Sequence, residues 1–306
     1  MSGFVIPVHK ESDWTSHDAV HRLRAILGVQ EVGHAGTLDP FATGILLCGV
    51  GRGTKILSYL MDLRKDYVGT MRLGRITDTG DATGATIEER PVTDITIGRA
   101  RSVAARFVGV QDQVPPMMSA IKRQGKRLYE LARAGIEVER PPRTIEVDLF
   151  EIGELSGEMI RFRIVCGKGT YIRGIARDFG EALGPGACVE TLRRKAIGGF
   201  DDDRAISLLG DREAVAETCR AAAIGLAEAL AHVPALHLIP DWVRRVRRGE
   251  QPPWRGIQER ETPERDRYCL LGPGGDLIAL ASLEPVPGPI DRSWRDSWEL
   301  KLDRVL

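Results

Sequence analysis

Apolar residues recur at helical spacing near the start of the chain and at strand spacing through its middle. Phe4–Val8 is an apolar run that predicts a strand. Ala19, Val20, Leu23, Ile26 and Leu27 then fall on one face of a helix. Thr15 or Ser16 can cap that helix, and Gly28 closes it. Ile45–Val50 is apolar throughout, the pattern of a strand covered on both faces. Further strands are predicted over Tyr67–Leu73, Thr144–Glu154, Met159–Cys166 and Val189–Ile197. In the third of these, Ile160, Phe162 and Ile164 alternate with Arg161, Arg163 and Val165. Helices are predicted over Thr54–Leu63, Ile97–Phe107, Leu128–Ala134 and Tyr171–Leu183, the last stopped by Gly184 and Pro185. Strand and helix do not alternate strictly. That favours an α+β fold over a doubly wound parallel sheet.

A helical stretch at about 211–231 precedes a change of texture. From about residue 236 the chain carries most of its tryptophans and the turns Pro252-Pro253 and Gly272-Pro273-Gly274-Gly275. Short strands are expected at Tyr268–Leu271 and Leu277–Ala281. The reading is therefore two domains, 1–235 and a small β-rich domain at 236–306, which suits a chain of 306 residues.

Composition narrows the class. No apolar stretch approaches the ~20 residues of a membrane span, so no membrane association is expected. The first residues lack the features of a secretory signal. The five cysteines are scattered, with no C-x-x-C pair, so neither a disulfide framework nor a metal site is indicated. A cytoplasmic, reducing compartment is expected. Net charge is zero, yet residues 101–200 hold 17 Lys+Arg against 12 Asp+Glu. A basic region beside an acidic one suits a partner bound on one face.

The chemistry concentrates in Gly33-His34-Ala35-Gly36-Thr37-Leu38-Asp39-Pro40-Phe41-Ala42-Thr43-Gly44. The glycines permit sharp bends, and Pro40 pushes Asp39 into an extended conformation. One reading is an acid presented to a ligand; the other is a turn whose carboxylate satisfies nearby N–H groups. Tyr67 follows Arg64-Lys65-Asp66. Tyr171 and Arg173 follow the glycine hinge Gly167-Lys168-Gly169. Arg173 can pair bidentately with Asp39 and keep it ionised, or make a surface pair worth at most about 1 kcal/mol. Tyr67 and Tyr171 can stack on a planar base or simply pack in the core. Lys122, Arg123, Lys126, Arg127 and Arg133, interleaved with Tyr129, can follow a phosphate backbone or form a solvated face. Gly49-Val50-Gly51-Arg52-Gly53-Thr54-Lys55 lacks the Gly-Lys-Ser/Thr order of a phosphate-binding loop, which makes a nucleotide hydrolase a remote alternative.

Together, and in this order, these segments resemble the TruB family of tRNA pseudouridine synthases. The resemblance also includes Gly53-Thr54-Lys55, Thr77-Asp78-Thr79-Gly80-Asp81, Ser119-Ala120-Ile121-Lys122 and Leu192-Arg193-Arg194. It implies a mixed, largely antiparallel sheet with flanking helices, and a C-terminal RNA-binding module resembling a PUA domain. It implies tRNA as partner, through its T-stem-loop, with uridine 55 as the target and no obligate protein partner. It implies no metal or organic cofactor. Asp39 matches the catalytic acid, Tyr67 the tyrosine that stacks on the target base, and Arg173 the arginine paired with the acid. Tyr171 and Leu192 match residues lining the uracil pocket. His34 matches a histidine that holds the target nucleotide out of its stack, and Lys55 a residue supporting the pocket electrostatically. The segment from about 110 to 142, with the basic residues above, matches an insertion that clamps RNA. One departure stands out. Where the family runs Lys-Pro-x-Gly after its first strand, this chain has Lys10-Glu11-Ser12-Asp13-Trp14. A tRNA-binding RNA chaperone without catalysis is the alternative of a different class.

Overall fold

The computed structural model describes residues 3–119, 121–123, 125–133, 135–136, 138–259, 266–285 and 298–306. Among these residues eleven strands form one mixed sheet, and a four-stranded sheet follows toward the C-terminus. The large sheet runs in the order Ile206–Ser207, Phe4–Lys10, Thr43–Val50, Ala187–Ile197, Lys65–Leu73, Met159–Cys166, Arg143–Ser156, Gly109–Gln113. The first pair is parallel, as is Ala187–Ile197 with Thr43–Val50. The other neighbours in that order are antiparallel. This is the α+β, largely antiparallel architecture expected from the sequence.

The first helix, Ser16–Leu27, starts at a capping box between Thr15 and Asp18 and ends at Gly28 with φ +66°. Its Ala19, Val20, Leu23 and Ile26 pack in one cluster with Ile6, Val8, Leu46 and Cys48. A second cluster joins the helix Ile172–Leu183 to the far half of the sheet. There Phe150 and Phe179 meet with ring centroids 5.1 Å apart, beside Tyr67, Met71 and Phe162.

Some elements differ from expectation. Thr54–Leu63 is not one helix: a 3-10 turn Gly51–Ile56 leads into a short α-helix Leu57–Met61. Gly53 lies so close to the first strand that a Cβ there would sit 2.1 Å from the Phe4 carbonyl oxygen, and Gly49 would meet the Gly53 oxygen at 2.5 Å. These glycines allow close backbone packing, which leaves the phosphate-loop reading without support. The stretch 211–231 is a helix Arg212–Ala221, a strand Ile224–Gly225 paired with the first strand, and a short helix Leu226–Ala229. Ile97–Phe107 is helical to Ala104 and closes in a 3-10 turn.

In the C-terminal part, Ala235–His237, Arg267–Leu271, Leu277–Pro285 and Trp298–Val305 form the four-stranded sheet. The helix Pro240–Arg247 joins it through Trp242 and Val246. Cys269, Leu280 and Leu306 from this part share a core cluster with Val5, Ile45, Leu47, Ile56 and Leu60.

Candidate active site

Asp39 lies in an irregular segment between the strands Val32–His34 and Thr43–Val50. Gly36 and Gly44 bracket it with φ of +103° and +106°. At Gly44 no side chain fits, because a Cβ would meet the Arg194 carbonyl oxygen at 2.3 Å. The segment is gripped from several sides. Leu38 N donates to Ser16 Oγ at 2.9 Å, and Ala42 N donates to the Asp39 carbonyl at 3.1 Å. The Pro40 carbonyl accepts from Asp13 N at 2.9 Å and from Lys10 Nζ at 3.0 Å. Lys10 also donates to the Glu11 and Trp14 carbonyls at 2.8 and 2.7 Å. It is fully buried, and burial pushes its ammonium down to about 8.

The unusual turn at 11–14 is therefore part of the site's scaffold. Asp13 adopts φ +64° there, a conformation that Asp tolerates and β-branched residues do not. Asp13→Gly is expected to keep the thermal midpoint at or slightly above the wild-type value. Asp13→Val is expected to lower stability by about 1–2 kcal/mol. Thermal melts of the two variants beside the parent check both.

Arg173 is the second residue of the helix Ile172–Leu183. No side chain of Tyr171 caps this helix. Instead the amide of Gln113 bonds both ways to Tyr171, Nε2 to its carbonyl at 3.0 Å and Oε1 from its N–H at 2.9 Å. Arg173 is thereby aimed at the loop. Its Nε donates to Asp39 Oδ2 at 2.9 Å and its Nη2 to Oδ1 at 2.7 Å, a bidentate pair. Nη1 donates to the Thr79 carbonyl at 2.7 Å, and Nη2 also to the Met118 carbonyl at 2.8 Å. The Arg173 side chain is 4% exposed, whereas Asp39 is 28% exposed. The carboxylate is held from behind and open in front.

A second carboxylate sits behind the guanidinium. Asp81 Oδ2 is 3.7 Å from Arg173 Nε, and Asp81 is buried. Its Oδ1 accepts from Thr79 Oγ1 at 2.8 Å, Thr83 N at 3.1 Å and Thr83 Oγ1 at 2.5 Å. Asp81 closes the Thr77–Asp81 motif and is a residue of the site that the motif alone does not single out. The signal was there in its two threonine neighbours, which can satisfy a buried carboxylate.

Tyr67 and Tyr171 complete the site. Burial raises both phenols, and the nearby Asp39 charge raises them further. In the sheet Tyr67 stands opposite Arg194, and Leu192 opposite Gly69. Directly opposed residues share a face, so Tyr67, Leu192 and Arg194 lie on one side. His34, on the short strand paired with Thr43–Val50, is lowered by burial and by the charge of Arg194, which keeps its ring neutral. The structure thus brings Asp39, Arg173, Tyr67 and Tyr171 together, with Leu192 on the same face as Tyr67. It does not bring Lys55. That residue is exposed, and its Nζ donates to the Val305 carbonyl at 2.9 Å, which corrects the expectation that it supports the pocket.

The insertion leans on the site through the Met118 carbonyl, which Arg173 holds, and Ser119 beside it is buried. Beyond it Lys122–Arg123 and Lys126–Arg127 pair as a small hairpin, followed by the helix Leu128–Arg133. The side chains of Lys122, Arg123, Lys126, Arg127 and Arg133, and all of Ala120, lie outside the described residues.

Known proteins resemble this chain in sequence and in fold. The family model described as TruB family pseudouridylate synthase (N terminal domain) matches residues 24–172. A tRNA pseudouridine synthase B of Geobacter sulfurreducens is 43% identical over 253 residues, covering 82% of this chain and 83% of that protein. One of Geotalea uraniireducens is 38% identical over 309 aligned positions, covering 100% of this chain and 97% of that protein. Among solved structures, a crystal structure of an archaeal box H/ACA sRNP Nop10-Cbf5 complex holds a similar chain. It has a TM-score of 0.72 at 24% identity, over 99% of this chain and 85% of that one. That likeness is one of fold.

Proposed function

The chain belongs to the TruB family of pseudouridylate synthases, and from that premise we propose that it isomerises uridine 55 in the T loop of tRNA to pseudouridine. The observation that carries this reading is the Asp39–Arg173 pair. A carboxylate locked bidentately from behind and open in front is placed to act on a bound nucleoside. A binding protein without catalysis has no use for that arrangement.

The uracil N1–C1′ bond breaks, the base turns, and a C5–C1′ bond forms. N1 gains the proton that C5 gives up, so atoms and electrons balance within the nucleotide. We assign the work to side chains. Asp39 acts at the sugar, either attacking the nucleoside covalently or assisting cleavage and accepting a sugar proton. Arg173 keeps the carboxylate charged and aimed. Tyr67 stacks on the base, and Tyr171 and Leu192 wall its pocket. The target must first leave its stack, at a cost of a few kcal/mol, and aromatic and pocket contacts offset that cost. His34, with its neutral ring, is assigned to holding the extruded nucleotide.

The domain assignment follows from this reading. Residues 1–235 carry catalysis, and 236–306 form a PUA-like RNA-binding module. The insertion at about 110–142 closes on the T-stem-loop through Lys122, Arg123, Lys126, Arg127 and Arg133. The compartment we assign is the cytoplasm, in keeping with five cysteines that are all unpaired and buried. No obligate protein partner is assigned.

Incubation with an unmodified tRNA transcript, followed by mapping of pseudouridine along the molecule, tests the reading. One new pseudouridine in the T loop is expected. Product at another position, or none, overturns it.

A further inference from the structure

Arg194 is the largest fully buried side chain among the described residues, at 1% exposure. A buried arginine is ordinarily paired with a carboxylate. Among the described residues none pairs with Arg194. Its donors go to carbonyls instead, Nε to Ile45 at 2.8 Å, Nη1 to Thr37 at 3.4 Å and Nη2 to Gly36 at 3.3 Å. Gly36 and Thr37 precede Asp39 and Ile45 follows it, so one guanidinium ties both flanks of the loop.

Arg194 also stands opposite Tyr67 in the antiparallel register, which sets its guanidinium charge on the same face as the Tyr67 phenol. Three groups face this phenol from the elements around it. Asp39 comes from the loop, Cys166 from the strand Met159–Cys166, and Arg194 from the strand Ala187–Ile197. Burial, Cys166 and Asp39 all raise the phenol, and Arg194 alone lowers it.

We propose that Arg194 is a positioning residue of the isomerisation. Held by carbonyls on both flanks of Asp39 and standing opposite Tyr67 in the sheet, it sets acid and aromatic ring at one spacing. This rests on the reading of the site given above.

The test compares Arg194→Lys, Arg194→Met and Arg194→Gln in the full chain. Single-turnover rate on unmodified tRNA, tRNA affinity and thermal midpoint are measured. The Tyr67 phenol is titrated by NMR with carbon-13-labelled tyrosine, its signal assigned by its loss in Tyr67→Phe. Arg194→Met is expected to slow the chemical step by about 100-fold or more, with affinity within about threefold of wild type. Its Tyr67 phenol is expected to titrate at higher pH than in the parent. Arg194→Lys, which keeps a charged donor, is expected to recover at least about tenfold of the lost rate. Arg194→Gln serves if the methionine variant does not fold, with its titration displaced in the same direction. A wild-type rate in a folded neutral variant, or a Tyr67 titration that does not move in it, overturns the proposal. Wild-type protein that yields no pseudouridine overturns the functional reading instead, while the titration still reports on Arg194.

Discussion

Asp39→Asn leaves tRNA bound and unmodified. Asparagine has almost the same shape as aspartate, so the loop, held by Ser16, Lys10 and Arg194, keeps its course. What changes is chemistry. A neutral amide neither attacks a sugar carbon nor accepts its proton at a useful rate. The single-turnover rate is expected to fall by at least about 10³-fold, within the range that loss of one acid–base group produces. Affinity for tRNA is expected to stay within about threefold, because one partly exposed carboxylate contributes little to holding a polyanion. Rate and binding measured on the same preparation decide the matter. An asparagine variant as fast as the parent would refute Asp39 as the reacting group.

Arg173→Met comes next in size, and it strikes stability as well as rate. The guanidinium satisfies both oxygens of Asp39 and the carbonyls of Thr79 and Met118, with buried Asp81 close behind. Removing one partner of a buried pair costs about 3–5 kcal/mol. Asp39 is partly open to water, so the lower end of that range is expected here. The two carboxylates are then left facing each other without their cation, and turnover is expected to fall by about 10²-fold or more. Arg173→Lys keeps the charge and loses the two-pronged geometry, so it is expected to recover stability better than rate. Chemical denaturation beside single-turnover kinetics separates these effects. A loss confined to tRNA affinity would make Arg173 an RNA ligand rather than the partner of the acid.

How far the sequence carried depends on whether the information was local. The helix Ser16–Leu27 was legible because its cap, its apolar stripe and its closing glycine lie within fourteen residues. Ile45–Val50 was legible because a strand buried on both faces carries no polar letter. Asp39, Tyr67 and Arg173 were found through the order of short motifs along the chain. Lys10 and Arg194 lie in stretches that the motifs mark, Lys10–Trp14 and Leu192-Arg193-Arg194, yet neither gains a role from sequence. Both are charged letters that local pattern assigns to solvent, and both are buried because distant carbonyls take their donors. Gln113 was missed for a similar reason. The strand Gly109–Gln113 is short, polar and at the sheet edge, and its glutamine matters only because Tyr171 arrives beside it. Thr54–Leu63 was read as one helix because the close approach of Gly53 to Phe4 has no trace in periodicity.

The core shared between the two ends of the chain has a bearing on protein engineering. Leu280, Cys269 and Leu306 roof over Val5, Leu47, Ile56 and Ile45, the last of which also supplies the carbonyl that Arg194 holds. Tyr59 and Asp303 stitch the seam at 3.1 Å, and Arg267 reaches Asp62 across it at 3.3 Å. Trimming the chain at residue 235 would strip that roof and wet a row of aliphatic side chains, each costing about 1.5–3 kcal/mol to lay bare. A minimal enzyme made by amputation would therefore be a damaged one. A chimera with a foreign tail would need to bring its own apolar underside to fit this bed.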